Sequence, residues 1–286
     1  MTVQNSTAVY SALIESELKE TRNFMTQQLQ CSDERLAEFT DYIKKRQGKM
    51  LRASVLLLCG KLTGRITKLH ISIAGTVEMI HSATLLHDDV IDNSTIRRFQ
   101  PTANRLWGAN QAVLLGDFIL SRAFAALLLF GRNDVNKIIG DTAGIICQGE
   151  MLQNKYRGNF NISVEDYLDI IAKKTAVFFA ASAQLGAVIS GADQQTSKNL
   201  YDFGLNLGIA FQIADDLADV AANENQTGKT TGRDLENKIP TLPTIKNTDF
   251  TKEQIVRYQQ KALNIIACFN ESPAAKALKE LTMQTA

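Results

Sequence analysis

Apolar residues recur at helical spacing from near the start of the chain. Val9, Leu13 and Leu18, then Leu36, Phe39 and Ile43, predict two helices within residues 7–46. The apolar run Val55 to Cys59 follows a basic segment. Further helical patterns cover residues 71–92, 111–130, 135–156, 166–190, 201–220 and 251–286. Proline occurs only at 101, 240, 243 and 273, so two long stretches contain no residue that would break a helix. Strand-like alternation is weak everywhere, and no short repeat is evident. Residues 93–104 and 221–240 are polar and read as loops. The pattern therefore predicts an all-α chain, taken as one domain over residues 1–286.

Polar residues interrupt this pattern at two places. In the first, His81, Asp88 and Asp92 share a helix face, with Asp88 and Asp92 about 40° apart and one turn removed. Stacked carboxylates repel, and hard oxygen donors suit Mg²⁺. A single such motif reads as a solvated acidic helix end. A second copy, Asp215-Asp216-Leu217-Ala218-Asp219, changes that reading. There Gln212, Asp215, Asp216 and Asp219 fall within an arc of about 100°, with Ile213, Ala214, Leu217 and Ala218 opposite.

Cations follow or precede these faces. Lys49 and Arg52 stand three apart at a helix start. Arg97 and Arg98 follow Asp92, Lys174 precedes Thr175, and Lys229 and Lys238 lie in the loop after the second motif. Two carboxylate faces meeting across a cavity could hold Mg²⁺ and, through it, a diphosphate neutralised by Arg97, Lys174 and Lys229. Lys49, Arg52, His81 and Arg98 could form a second anion site. The apolar helix walls below would take a hydrocarbon.

Composition narrows the choice. The formal net charge is +1 over 286 residues, so any anion site is local and a nucleic-acid partner is not expected. Cys31, Cys59, Cys147 and Cys268 have no paired spacing, which suits a reducing, cytoplasmic setting. The polar start lacks a signal-peptide pattern. Thr175 to Ala192 is uncharged, but its Ser, Gln and Gly residues make it a buried core helix rather than a membrane span.

The segments GKMLR, EMIHSATLLHDDVID, RRFQPTAN, LLGDFILSRAF, GEMLQ, KKTA, FQIADDLAD, GKTTGRD and NKIPTLP occur in one order between Gly48 and Pro243. In this the chain resembles the trans-isoprenyl diphosphate synthases, the polyprenyl synthetase family. The resemblance implies the isoprenoid synthase fold of antiparallel helices around a central cavity, a homodimer, and Mg²⁺-dependent condensation of isopentenyl diphosphate with an allylic diphosphate. Carried over by position, Lys49, Arg52, His81 and Arg98 would bind isopentenyl diphosphate. Asp88, Asp92 and Asp215 would ligand Mg²⁺. Arg97, Lys174 and Lys229 would hold the allylic diphosphate, with Thr175 and Gln212 beside the allylic carbocation and Lys238 and Asp219 supporting them.

The chain departs from the family pattern at Gln47, Met50, Ala53 and Gln100. Chain length is often set four and five positions before the first Asp, here Thr84 and Ala83. Two small residues leave the tunnel open, which implies a long product of the octaprenyl kind, with geranylgeranyl diphosphate as the alternative. A transient membrane contact would serve product release. A class I terpene cyclase would normally replace the second Asp motif, and a regulatory subunit would tend to lose one; both motifs stand here.

Overall fold

The computed structural model describes residues 12–46, 48–221 and 233–284. Helix α1 (Glu15–Gln28) leads through a short 3₁₀ turn at Glu34–Leu36 to α2 (Ala37–Lys44). Then come α3 (Leu51–Thr63) and α4 (Lys68–Ile91), the helix of the first Asp motif. Helices α5 (Ala103–Trp107), α6 (Ala109–Leu129), α7 (Asn133–Tyr156) and α8 (Val164–Ile171) follow. A π-helical turn at Ala172–Ala176 joins α8 to α9 (Val177–Ile189). The second Asp motif ends α10 (Gln194–Ala221). The chain closes with α11 (Arg233–Glu236), α12 (Leu242–Ile245), α13 (Thr248–Ala267) and α14 (Pro273–Gln284).

Two helices are buried on nearly every side, as their uniformly apolar sequences require. Residues 52–60 of α3 and residues 177–183 of α9 are all buried. The two pack on each other, α4 packs on α3 and α6, and α10 packs on α9 and α13. A smaller apolar cluster of Tyr167, Ile171, Ala176, Ile209, Ile213, Leu242 and Ile255 lies beneath the second Asp motif. It anchors the helix that presents those carboxylates. Thr175 to Ala192 is thus core, as its composition implied.

Helix α4 starts at a cap in which the Thr67 N–H donates to His70 Nδ1 at 3.1 Å. It ends at Asp92, whose N–H donates to the Asp88 carbonyl at 2.8 Å. Asp88 and Asp92 therefore sit in the last turn, at the mouth of the bundle.

Two local expectations need correction. Residues 93–104 are not simply a loop: Ile96–Arg97 and Gln100–Pro101 pair as an antiparallel hairpin, and α5 begins at Ala103. Arg98 and Phe99 both take positive φ at the hairpin turn (52° and 61°), the conformation two-residue hairpin turns need. The strands are too short for residue alternation to reveal them. Among the described residues, the one helix long and apolar enough to cross a membrane is Ala109–Leu129 rather than Thr175 to Ala192. Its apolar outer face includes Leu114, Leu128 and Leu129, 59%, 76% and 83% exposed.

Candidate active site

The end of α4 carries a carboxylate cluster balanced by cations from other elements. Asp89 is buried and accepts from Arg97 Nε at 2.8 Å. Asp92 accepts from Arg157 Nη2 at 2.9 Å. Burial pushes the Asp88 carboxyl up to about 6, with Lys174 pulling it down and Glu150 adding to the rise. Lys174 is the hub. Its ammonium lies 2.5 Å from Glu150 and 2.5 Å from the Gln153 amide oxygen, both on α7. Burial works against its charge, but Asp88 and Glu150 hold its pKa above the ordinary lysine value.

Lys174 reaches this position because it stands in the π-helical turn. A π turn adds a residue per turn and re-aims side chains. Two glycines let the neighbouring helices close on it: a Cβ at Gly149 of α7 would strike the Lys174 backbone, and one at Gly208 of α10 would strike Ala176. Thr175, in the same turn, donates to Gln212 Oε1 at 2.8 Å. Gln212 Nε2 donates to Asp216 Oδ1 at 2.7 Å, and Tyr167 donates its hydroxyl to Asp216 Oδ2 at 2.7 Å. This chain of bonds fixes which way the Gln212 amide points.

The second carboxylate cluster carries more repulsion. Burial, then Asp219 and Asp215, push Asp234 up to about 7. Asp216 is held well above the ordinary carboxylate range by burial and by Asp234, against the bonds from Tyr167 and Gln212. Asp219 Oδ2 accepts from the Asp234 N–H at 3.3 Å. A cavity of about 110 Å³ brings the two ends together, lined by Asp92, Lys174, Thr175, Gln212, Asp215, Asp216 and Asp234 among others.

Cationic side chains gather around His81, where α3, α4 and α9 pack together. Arg52 is buried, its guanidinium 4.6 Å from the Phe179 ring centre and 5.3 Å from that of Phe178. Its Nε has no hydrogen-bond partner. Burial lowers its pKa to about 10, and Glu78 and Asp88 resist the fall. Burial and then Arg52, Arg98 and Arg97 hold the His81 imidazole neutral. Buried Glu78 accepts from the Ala53 N–H at 3.0 Å, fixing the start of α3.

The other expected residues divide. Gly48 has no side chain where the Arg98 guanidinium lies against it. Lys49 is exposed. Arg97 is turned to Asp89 rather than toward the second motif. Lys238 is exposed with positive φ, and its carbonyl accepts from the Gly158 N–H at 2.7 Å. Thr84 is half-buried and Ala83 has no exposed surface. Lys229 and Gln47 lie outside the described residues. The sequence reading passed over Glu150, Gln153, Arg157, Tyr167 and Asp234. Glu150, Gln153 and Asp234 lay inside quoted motifs, where acidic or amide side chains could have been counted with the site.

Among the described residues, no group of three His, Cys, Asp or Glu side chains converges to hold a metal unaided. The donors still fit a hard divalent cation. Such ions are commonly held by one or two carboxylates, with water and phosphate oxygens completing the shell. The elevated Asp88 and Asp234 values also mark carboxylates whose charge awaits compensation.

Known proteins share this architecture. The chain is 40% identical over 202 residues to the octaprenyl diphosphate synthase of Escherichia coli (strain K12), a match covering 71% of this chain and 62% of that protein. It is 30% identical to the short chain isoprenyl diphosphate synthase of Methanothermobacter thermautotrophicus, over 98% of this chain and 84% of that one. The polyprenyl synthase of Caulobacter crescentus CB15, solved with calcium and isoprenyl diphosphate, superposes with a TM-score of 0.93 at 30% identity, covering 100% of this chain and 98% of the other. The bundle is thus the all-α isoprenoid synthase fold. With the polyprenyl synthetase model matching residues 33–281, the chain belongs to the polyprenyl synthetase family.

Proposed function

We propose that this protein is a Mg²⁺-dependent trans-prenyltransferase that condenses isopentenyl diphosphate with an allylic diphosphate into a long polyprenyl diphosphate of the octaprenyl type. The observation that carries the reading is Arg52. A buried guanidinium whose Nε lacks an acceptor is costly unless an anion completes it. That orphan donor lies among cationic side chains, with Arg98 and Arg97 also acting on His81, and its helix packs on the one that carries Asp88.

Lys49, Arg52, His81 and Arg98 would bind isopentenyl diphosphate, with neutral His81 as a hydrogen-bonding group. Arg97, Lys174 and Lys229 would neutralise the allylic diphosphate. Asp88, Asp92 and Asp215 would hold Mg²⁺, which stabilises negative charge developing on a departing diphosphate. Thr175 and Gln212 would turn their oxygens to the allylic carbocation, and Asp219 and Lys238 would support the site. The departing diphosphate accepts the proton, so no side-chain base is required.

The outer face of the bundle supports a homodimer. Leu114, Leu128 and Leu129 of α6 are exposed, and α7 has Gly140 and Gly144 on its surface. Covering such an apolar face would stabilise a dimer. We place the protein in the cytoplasm, with transient membrane contact at product release.

One observation favours geranylgeranyl diphosphate as a second reading. Ala83 has no exposed surface and belongs to the main core, so chain growth would stop at a residue deeper down. Incubation with isopentenyl diphosphate, Mg²⁺ and a short allylic primer, followed by chromatography, tests both. A product longer than geranylgeranyl supports the first reading, geranylgeranyl as end product selects the second, and no condensation refutes both.

A further inference from the structure

Arg157 caps the C-terminus of α7 and has no part in the roles assigned so far. Its guanidinium ties three elements. Nη2 donates to Asp92 Oδ1 at 2.9 Å, and Nη1 donates to the Asn237 carbonyl at 3.3 Å. Asn237 Nδ2 in turn donates to the Asp92 carbonyl at 3.4 Å. Nε is buried and has no partner. The adjoining Gly158 N–H and Lys238 carbonyl already join the two chain segments.

We infer that Arg157 is the resident counter-cation of Asp92: it holds this carboxylate while no metal is bound, and a divalent cation must displace its charge to bind there. The inference rests on the reading of Asp92 as a metal ligand. A guanidinium bonded to one carboxylate oxygen keeps the orientation of Asp92. A divalent ion arriving at the same carboxylate meets that positive charge at close range, and the repulsion weakens metal binding. Arg157 thus raises the metal concentration the site needs. Once released, its forked donors and unpartnered Nε are available to the oxygens of a bound diphosphate.

Mn²⁺ serves as the probe, titrated alone into the full-length protein, with free Mn²⁺ read by electron paramagnetic resonance. R157Q should reach half-saturation at roughly three- to tenfold lower Mn²⁺ than wild type, the range expected for loss of a partly exposed ion pair. R157K, which keeps the charge but not the fork, should fall between. Thermal melts establish that each variant is folded. In D92N, binding should weaken, and adding R157Q should change nothing further. An unchanged or raised Mn²⁺ requirement in folded R157Q, with D92N weakened, overturns the inference and leaves Asp92 as a ligand. Unchanged binding in D92N removes Asp92 from the ligand set and the inference with it. If R157Q shows the shift while the wild-type enzyme fails to condense its substrates, the proposed function falls and the counter-cation stands.

Discussion

At the end of α4, Asp89 meets Arg97 and Asp92 meets Arg157, each through a charge-assisted bond below 3 Å. At the end of α10, the bonds to Asp216 come from neutral groups, Tyr167 and Gln212. The charges that act most on Asp234 there are the carboxylates Asp219 and Asp215. Lys174 acts on both ends, lowering Asp88 and Asp234. Among the described residues, arginines bond the carboxylates at the first end, whereas neutral side chains bond Asp216 at the second. Two similar motifs therefore differ through their surroundings: arginines from the hairpin and α7 bond Asp89 and Asp92, while Tyr167 and Gln212 bond Asp216.

The largest expected effect would come from removing a carboxylate at either end. Asp88→Ala or Asp215→Ala should lower turnover by about a thousandfold or more, since each would loosen a cation on the leaving group. The fold should persist because neither residue belongs to the apolar core. A variant retaining more than about a tenth of the rate at saturating Mg²⁺, a loss under ~1.4 kcal/mol, contradicts the shared grip.

Next in size is the division between the two anion sites. Arg52→Ala should mainly raise the KM for isopentenyl diphosphate, by about 1.5–3 kcal/mol of binding. Lys229→Ala should act on the allylic substrate or on kcat. Steady-state kinetics with each substrate varied separately checks this, and equal effects of both variants on both substrates would break the division.

Burial and the carboxylates beside Asp234 also predict a pH effect in metal-free protein. An unfolded Asp ionises near 3.9, whereas Asp234 ionises at about 7 in the fold. Between these values the unfolded state has lost its proton and the folded state retains it, so this group's contribution to stability falls as pH rises from about 4 to about 7. Asp234→Asn should match wild type near pH 4 and be more stable above pH 7, by on the order of 1–3 kcal/mol. Urea melts in chelator across that range measure it. The corresponding gain for Asp88→Asn should be smaller, because its value rises only to about 6. A reversed order would invert the comparison.

Much of the helical frame was legible from periodicity and from the scarcity of proline. The two Asp faces were legible because carboxylates at helical spacing leave a visible stripe. What was not legible depends on contacts between distant segments. Arg157 is an ordinary basic residue in sequence, and only the meeting of α7 with α4 gives it Asp92 as a partner. Tyr167 reads as one more apolar helix position until Asp216, 49 residues on, accepts its proton. The π turn at Ala172–Ala176 differs from α-helix by a hydrogen-bond register that composition does not encode. Arg97 and Arg98 read as a pair, but the hairpin sends one to Asp89 and seats the other against Gly48.

The smallest expected effect concerns chain length. Ala83→Phe adds a ring where Ala83 is fully buried, so overpacking would cost about 1–3 kcal/mol. If the site borders the tunnel, the dominant product should shorten by several isoprene units. An unchanged product distribution from a folded, active variant would assign the stop to another residue.

In the proposed reaction both carboxylate clusters would grip one diphosphate through divalent metal. Calorimetric titration of inorganic diphosphate into wild type, Asp88→Asn and Asp215→Asn, each with and without Mg²⁺, tests it most directly. The account predicts Mg²⁺-dependent binding in wild type, weakened by about tenfold or more in each variant. Equal binding without Mg²⁺, or a variant at either end that binds as wild type does, would contradict it.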